Sequence, residues 1–139
     1  MASGEPLECD EVVYYAVDPS KIFNRMVDFS AVRYPNTSVN RAMTSQPRSV
    51  CIGDRSGWEP WKIIVNDMPG PFDFVRESKP HKGQTDRYSF RAEHDPEPNN
   101  ESHCEVRTYR NGPERVHNDP PKRVKAHFRA SFAKNLEPA

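Results

Sequence analysis

Two stretches in the second half of the chain do most to limit what it can fold into. In RYSFRAEH, residues 87–94, Tyr88, Phe90 and Ala92 alternate with Arg87, Ser89, Arg91 and Glu93. In HCEVRTYR, residues 103–110, Cys104, Val106 and Thr108 alternate with Glu105, Arg107 and Tyr109. Alternation at every second residue marks a strand with one buried face. The connector DPEPNNES is polar and rich in turn residues, so the pair predicts a long antiparallel hairpin. A sheet with an apolar face needs a cover. NDPPKRVKAHFRASFAKNL supplies a helix for that role. Its Val124, Phe128, Phe132 and Leu136 recur every fourth residue as one apolar stripe. Asp119 is placed to cap this helix, and Glu137-Pro138 to end it.

The first half adds strands and one irregularity. Residues 11–17 are β-branched and aromatic, with apolar side chains on both faces, and predict a strand covered on both sides. Asp18 then suits an N-cap and Pro19 the first helical position. Ile22, Phe23, Met26 and Val27 recur at helical spacing, with Phe29 just beyond, so residues 19–29 predict a short amphipathic helix. Tyr34-Pro35 stops anything helical. Further strands are expected at 38–43, 48–52, 61–66 and 72–77. The segments GDRSGWEP, DMPGP and KPHKGQTD read as turns.

A chain of 139 residues suffices for one domain with a core but not for two. Residues 1–9 read as a loose tail ahead of a single domain at 10–139. Twenty basic and twenty acidic residues cancel, which argues against bulk binding of nucleic acid or an anionic membrane. No run reaches transmembrane length and no signal peptide is apparent. Three scattered cysteines, with no Cys-x-x-Cys, fit a reduced cytoplasmic protein. A hydrophobic fraction of 35% with 14 prolines implies a small core and long loops.

The order of strand, helical segment, antiparallel strands and C-terminal helix resembles the helix-grip fold of the START/polyketide cyclase (SRPBCC) superfamily. The resemblance rests on VVYYAV, DPSKIFNRMV, the Asp28-Phe29 pair leading into SAVRYPNTSV, the GDR at Gly53–Arg55, and DRYSFRAE. It covers nearly the whole chain as an order of patterns. It implies an α+β fold in which a curved antiparallel sheet grips the C-terminal helix around a cavity. It also implies a hydrophobic or aromatic ligand, polyketide- or lipid-like, and in some branches cyclase or dehydratase activity. Tyr34-Pro35 stands where several branches carry a tryptophan, and the middle strands are broken by prolines.

Under that resemblance the cavity lining would include Val124, Phe128 and Phe132 on the helix and Phe72, Phe74, Tyr88 and Phe90 on strands. The competing reading, that each of these simply fills the core, is the more common one for buried apolar side chains. Tyr34, Trp58 and Trp61 suit a cavity mouth or a structural plug. Arg91, Tyr88 and His127 are the candidate catalytic groups, since arginine or tyrosine can stabilise an enolate oxygen and histidine can move a proton. Arg91 is opposite in phase to Tyr88 and Phe90, and surface salt bridges are the competing reading. His94 and His103 flank the hairpin tip, but no ligand spacing predicts a metal, and no cofactor is implied.

Residues 107–134 carry eight basic side chains against Glu114 and Asp119, which suits an acidic partner at the helix. Two other readings remain. One is a non-catalytic interaction module with a filled core. The other starts from PRSVCIGDRSGWEPW, which is similar to the active-site segment of ubiquitin-conjugating enzymes and would make Cys51 a thioester nucleophile.

Overall fold

The computed structural model describes residues 3–139. It is an α+β domain in which a strongly curled antiparallel sheet wraps one C-terminal helix. The strands are β1 (Val12–Val17), β2 (Ile22–Phe23), β3 (Met26–Val27), β4 (Thr37–Arg41), β5 (Glu59–Ile64), β6 (Phe72–Val75), β7 (Thr85–His94), β8 (His103–Arg110), β9 (Glu114–Arg115) and β10 (Glu137–Pro138). The helix is α1 (Lys122–Lys134). The main sheet runs β10-β5-β1-β4-β8-β7-β6, and β9 adds to β8. The β7–β8 hairpin forms in the expected phase, with Ala92 opposite Val106 and Phe90 opposite Thr108.

Strand β1 lies inside the sheet, between β5 and β4, and both its faces are apolar. Val13, Tyr15 and Val17 point into the concavity, facing α1. Ala16 is buried on the outer face beneath Val50 and Cys51, with Tyr14 and Trp58 alongside. Residues 48–52, expected as a strand, instead form a 3-10 turn (Pro47–Val50) and the start of a second (Gly53–Arg55). Pro47 opens the first turn, where its missing N–H costs nothing, and Val50 and Cys51 are thereby laid over β1. A ladder position would have exposed one of the two.

The helix expected at 19–29 does not form. Asp18 caps only a single 3-10 turn, Pro19–Lys21, accepting from the Ser20 N–H at 3.0 Å. The chain then makes a two-residue hairpin that pairs Ile22 with Val27 and Phe23 with Met26. Asn24 and Arg25 form its turn with φ of 51° and 62°, the left-handed pair that a tight hairpin needs. A second capped turn, Phe29–Ala31, follows on Asp28.

Two boundary expectations also change. Asp119 does not cap α1; its carboxylate takes the Lys125 ammonium at 2.7 Å, and Pro121 stands at the cap. Glu137-Pro138 does more than stop the helix, since it pairs with Lys62 and Trp61 of β5. The described part of the expected loose tail is tied down as well. Leu7 is buried and donates to the Ala92 carbonyl at 3.0 Å, while the His94 N–H reaches the Glu5 carbonyl at 2.9 Å. Met1 and Ala2 of that tail lie outside the described residues. No helix among the described residues is long and apolar enough to cross a membrane.

Candidate functional site

The concave side of the sheet meets α1 through aromatic rings. Val124, Phe128 and Phe132 have no exposed surface. Tyr34 stacks on Phe128 with centroids 4.3 Å apart, and Phe128 in turn stacks on Phe132 at 5.5 Å. Phe90 meets Phe128 edge-on at 5.0 Å, and Tyr15 meets Phe132 edge-on at 5.2 Å. The Tyr34 hydroxyl shares a 2.5 Å hydrogen bond with the Thr108 hydroxyl, and burial pushes its phenol pKa up to about 12. Trp61 is buried on the same side, paired across from Tyr15. Of the residues expected around a cavity, Tyr34, Phe90, Phe128 and Phe132 therefore touch one another. Fully burying each large ring contributes about 2–3 kcal/mol, a gain that a cavity would forgo.

The candidate catalytic side chains are dispersed. Arg91 lies on the outer face, its guanidinium 4.1 Å from the Tyr109 ring centroid and 3.2 Å from the Glu93 carboxylate. Tyr88, two strand positions from Phe90, faces inward with it. His127 is half-buried at the edge of α1, against Phe72 at 4.9 Å, and its Nε2 lies 2.9 Å from the Gly70 carbonyl. Phe74 meets Tyr88 edge-on at 6.4 Å. Trp58 is half-buried on the outer side, beneath the Arg55 guanidinium at 5.4 Å. His94 pairs with Cys104 and faces inward, whereas His103 pairs with Asn40 and faces outward. No group of three or more potential metal ligands occurs among the described residues.

Cys51 is buried, and that burial raises its thiol pKa. A thiol held protonated at neutral pH is a poor nucleophile.

Three features remain outside the filled core. The first is a depression of about 500 Å³ where β8, β9 and the approach to α1 meet. Tyr88, Arg110 and Glu114 line it together with His117 and Pro120. Next to it the buried Asp86 accepts from Arg76 Nε at 2.6 Å and Asn111 Nδ2 at 2.9 Å, and the Arg76 guanidinium holds its pKa below the usual carboxylate value.

The second is a groove of about 490 Å³ on the outer face of β4 and β8. Strand register places Ser38 beside Glu105 and Asn40 beside His103 on its floor. The 3-10 turns at 47–55 form one wall, and Asp95, Glu97 and Asn100 of the β7–β8 connection form the other. The third is the β2–β3 hairpin with the turn that follows it, where Phe23, Met26 and Phe29 are each more than half exposed. Ile22 and Val27 on the opposite face of that hairpin pack into the core.

Periodicity did not reveal the ion-pair networks that sit in the sheet. Glu93 is buried on the outer face, with Arg107 Nη1 at 3.0 Å and the Tyr109 hydroxyl donating to it. Glu11 holds Arg41 through Nε at 2.8 Å and Nη2 at 2.7 Å. The one available signal was a carboxylate at a strand position with an arginine two residues from its cross-strand partner.

No protein-family model matches the chain, and neither the curated proteins nor the solved structures include a match.

Proposed function

We propose that the chain is a non-catalytic interaction domain that engages its partner through its outer surface. The observation that supports this reading is the stacked Tyr34-Phe128-Phe132 interior, which occupies the place a gripped ligand would need. Apolar area that a ligand-binding fold would turn inward is instead presented at Phe23, Met26 and Phe29. Native mass spectrometry of protein from its own host is the test. The expected mass is that of the chain alone, with a melting temperature unmoved by aromatic and lipid-like compounds. A photoreactive residue at position 23 should then yield a discrete adduct that one at the exposed His81 does not. A copurified small molecule that raises the melting temperature would overturn the reading.

A second reading has one observation in its favour. Tyr88 and Arg110 line the depression at the open end of the grip, and a phenol beside a guanidinium suits a carbonyl-bearing ligand. A polyketide- or lipid-like molecule seated there, with or without cyclase chemistry, would give the opposite result in the same experiment.

A further inference from the structure

We propose that the groove on the outer face of β4 and β8 binds a basic peptide, seating an arginine or lysine side chain among its carboxylates. Asp54, Asp95, Glu97 and Glu105 line the groove together with Arg55 and His103, whose ring lies 3.6 Å from the Glu97 carboxylate. Arg55 lies over the Trp58 ring at 5.4 Å. Asp95 is shared between Arg107 at 3.5 Å and His103 at 3.6 Å. Among the described residues no ion pair joins Asp54 or Glu105. A cation entering the groove therefore meets two carboxylates, Asp54 and Glu105, that no ion pair holds, with the charge of Glu105 only partly offset by Arg107.

Charge alone does not define the occupant. Asn40 lines the same groove and is only 2% exposed. Its Oδ1 accepts from Asn100 Nδ2 at 2.7 Å, whereas its own Nδ2 has no partner. A buried donor without an acceptor is unfavourable, and a cation cannot relieve it. A carbonyl can. An occupant that carries a positive group and an acceptor together answers both features, and a main chain with a basic side chain does so. Ile52, 64% exposed at the lip, offers apolar surface to the aliphatic stem of that side chain.

This proposal rests on the interaction-domain reading and is tested separately from it. The probe is fluorescein-labelled tetra-arginine, with tetra-citrulline as the uncharged isostere and spermine as a cation without carbonyls. Fluorescence anisotropy should show saturable binding of tetra-arginine that weakens with added salt. Asp54→Asn and Glu105→Gln should each weaken it about fivefold, as expected for loss of one partly exposed charge pair. Asp54 is exposed, so its variant should melt as the parent does. Spermine and tetra-citrulline should compete poorly. Binding unchanged in both variants, equal binding of tetra-citrulline or spermine, or no saturation would each overturn the proposal. If tetra-arginine fails while the adduct at position 23 still forms, the groove assignment falls alone; if both fail, the interaction reading falls with it.

Discussion

At the scale of single residues, burial decides what each titratable group does. Tyr34 shows this with a sign that can be worked out. An unfolded phenol ionises at about pH 10, and in the folded chain burial moves Tyr34 to about 12. The folded state thus keeps a proton that the unfolded state gives up. The stability linked to Tyr34 is fully present below pH 10 or so and is lost as pH rises towards the folded value. Tyr15 shifts the same way, through its own burial. Tyr34→Phe should cost about 1 kcal/mol at neutral pH, because the buried Thr108 hydroxyl loses its partner. It should also flatten part of the alkaline decline, which denaturant titrations at neutral and high pH would read. An alkaline profile identical to the parent's would refute the assignment. The cysteines divide by the same rule. Cys9 is exposed, whereas Cys51 and Cys104 are buried, and desolvation takes Cys104 to about 12. Iodoacetamide should modify Cys9 in the folded protein and the other two only in denaturant, as peptide mass mapping would show. Rapid labelling of folded Cys51 would instead revive a nucleophilic role.

At the scale of elements, how well the sequence could be read depended on whether a pattern fits one geometry or two. Arg87 to Arg110 alternates strictly and carries its turn residues between the runs, so only a hairpin suits it. Residues 22–27 are ambiguous. Apolar residues at i, i+1, i+4 and i+5 line one face of a helix, but they are also the two cross-strand pairs of a hairpin with a two-residue turn. Tertiary packing decided for the hairpin, because it sends Ile22 and Val27 together into the core while Phe23 and Met26 face out. The surviving clue was Asn24, a residue that tolerates the left-handed region. Arg25 has no such tolerance and adopts φ of 62° all the same. Arg25→Gly should relieve that strain and raise stability by about 0.5–1 kcal/mol, net of the entropy that glycine loses on folding. Thermal melting would check it, and a destabilised variant would mean that the Arg25 side chain makes a contact worth more than the strain. The candidate surfaces were far less legible. The outer groove is assembled from β4, β8, two 3-10 turns and a connector, and no local period records that these five meet.

At the scale of the whole molecule, the fold depends on how its longest strand is covered. β7 has ten residues, but β6 pairs only with Thr85–Tyr88. At its far end, Ala92–His94 are covered by the N-terminal segment. Leu7 N–H reaches Ala92, His94 N–H reaches Glu5, and Gly4 N–H reaches His94 at 2.7 Å. Composition makes residues 1–9 look like solvent-borne chain, because only Leu7 is both large and apolar among residues 3–9. One buried leucine and a few backbone bonds are enough to dock them. Removing residues 1–7 should therefore cost about 3 kcal/mol, with roughly 2 from Leu7 and the rest from hydrogen bonds that each contribute about half a kcal/mol net. The truncation has a second consequence. It leaves Ala92–His94 as an open edge beside the charged Arg91 and Glu93 side chains, and an unpaired edge recruits another strand. Urea unfolding should show the lower midpoint, and sedimentation at rising concentration should show more self-association than the full chain does. If the truncated protein is as stable as the parent and associates no more than it does, the segment is not part of the sheet, and the far end of β7 must be protected by its ion pairs alone.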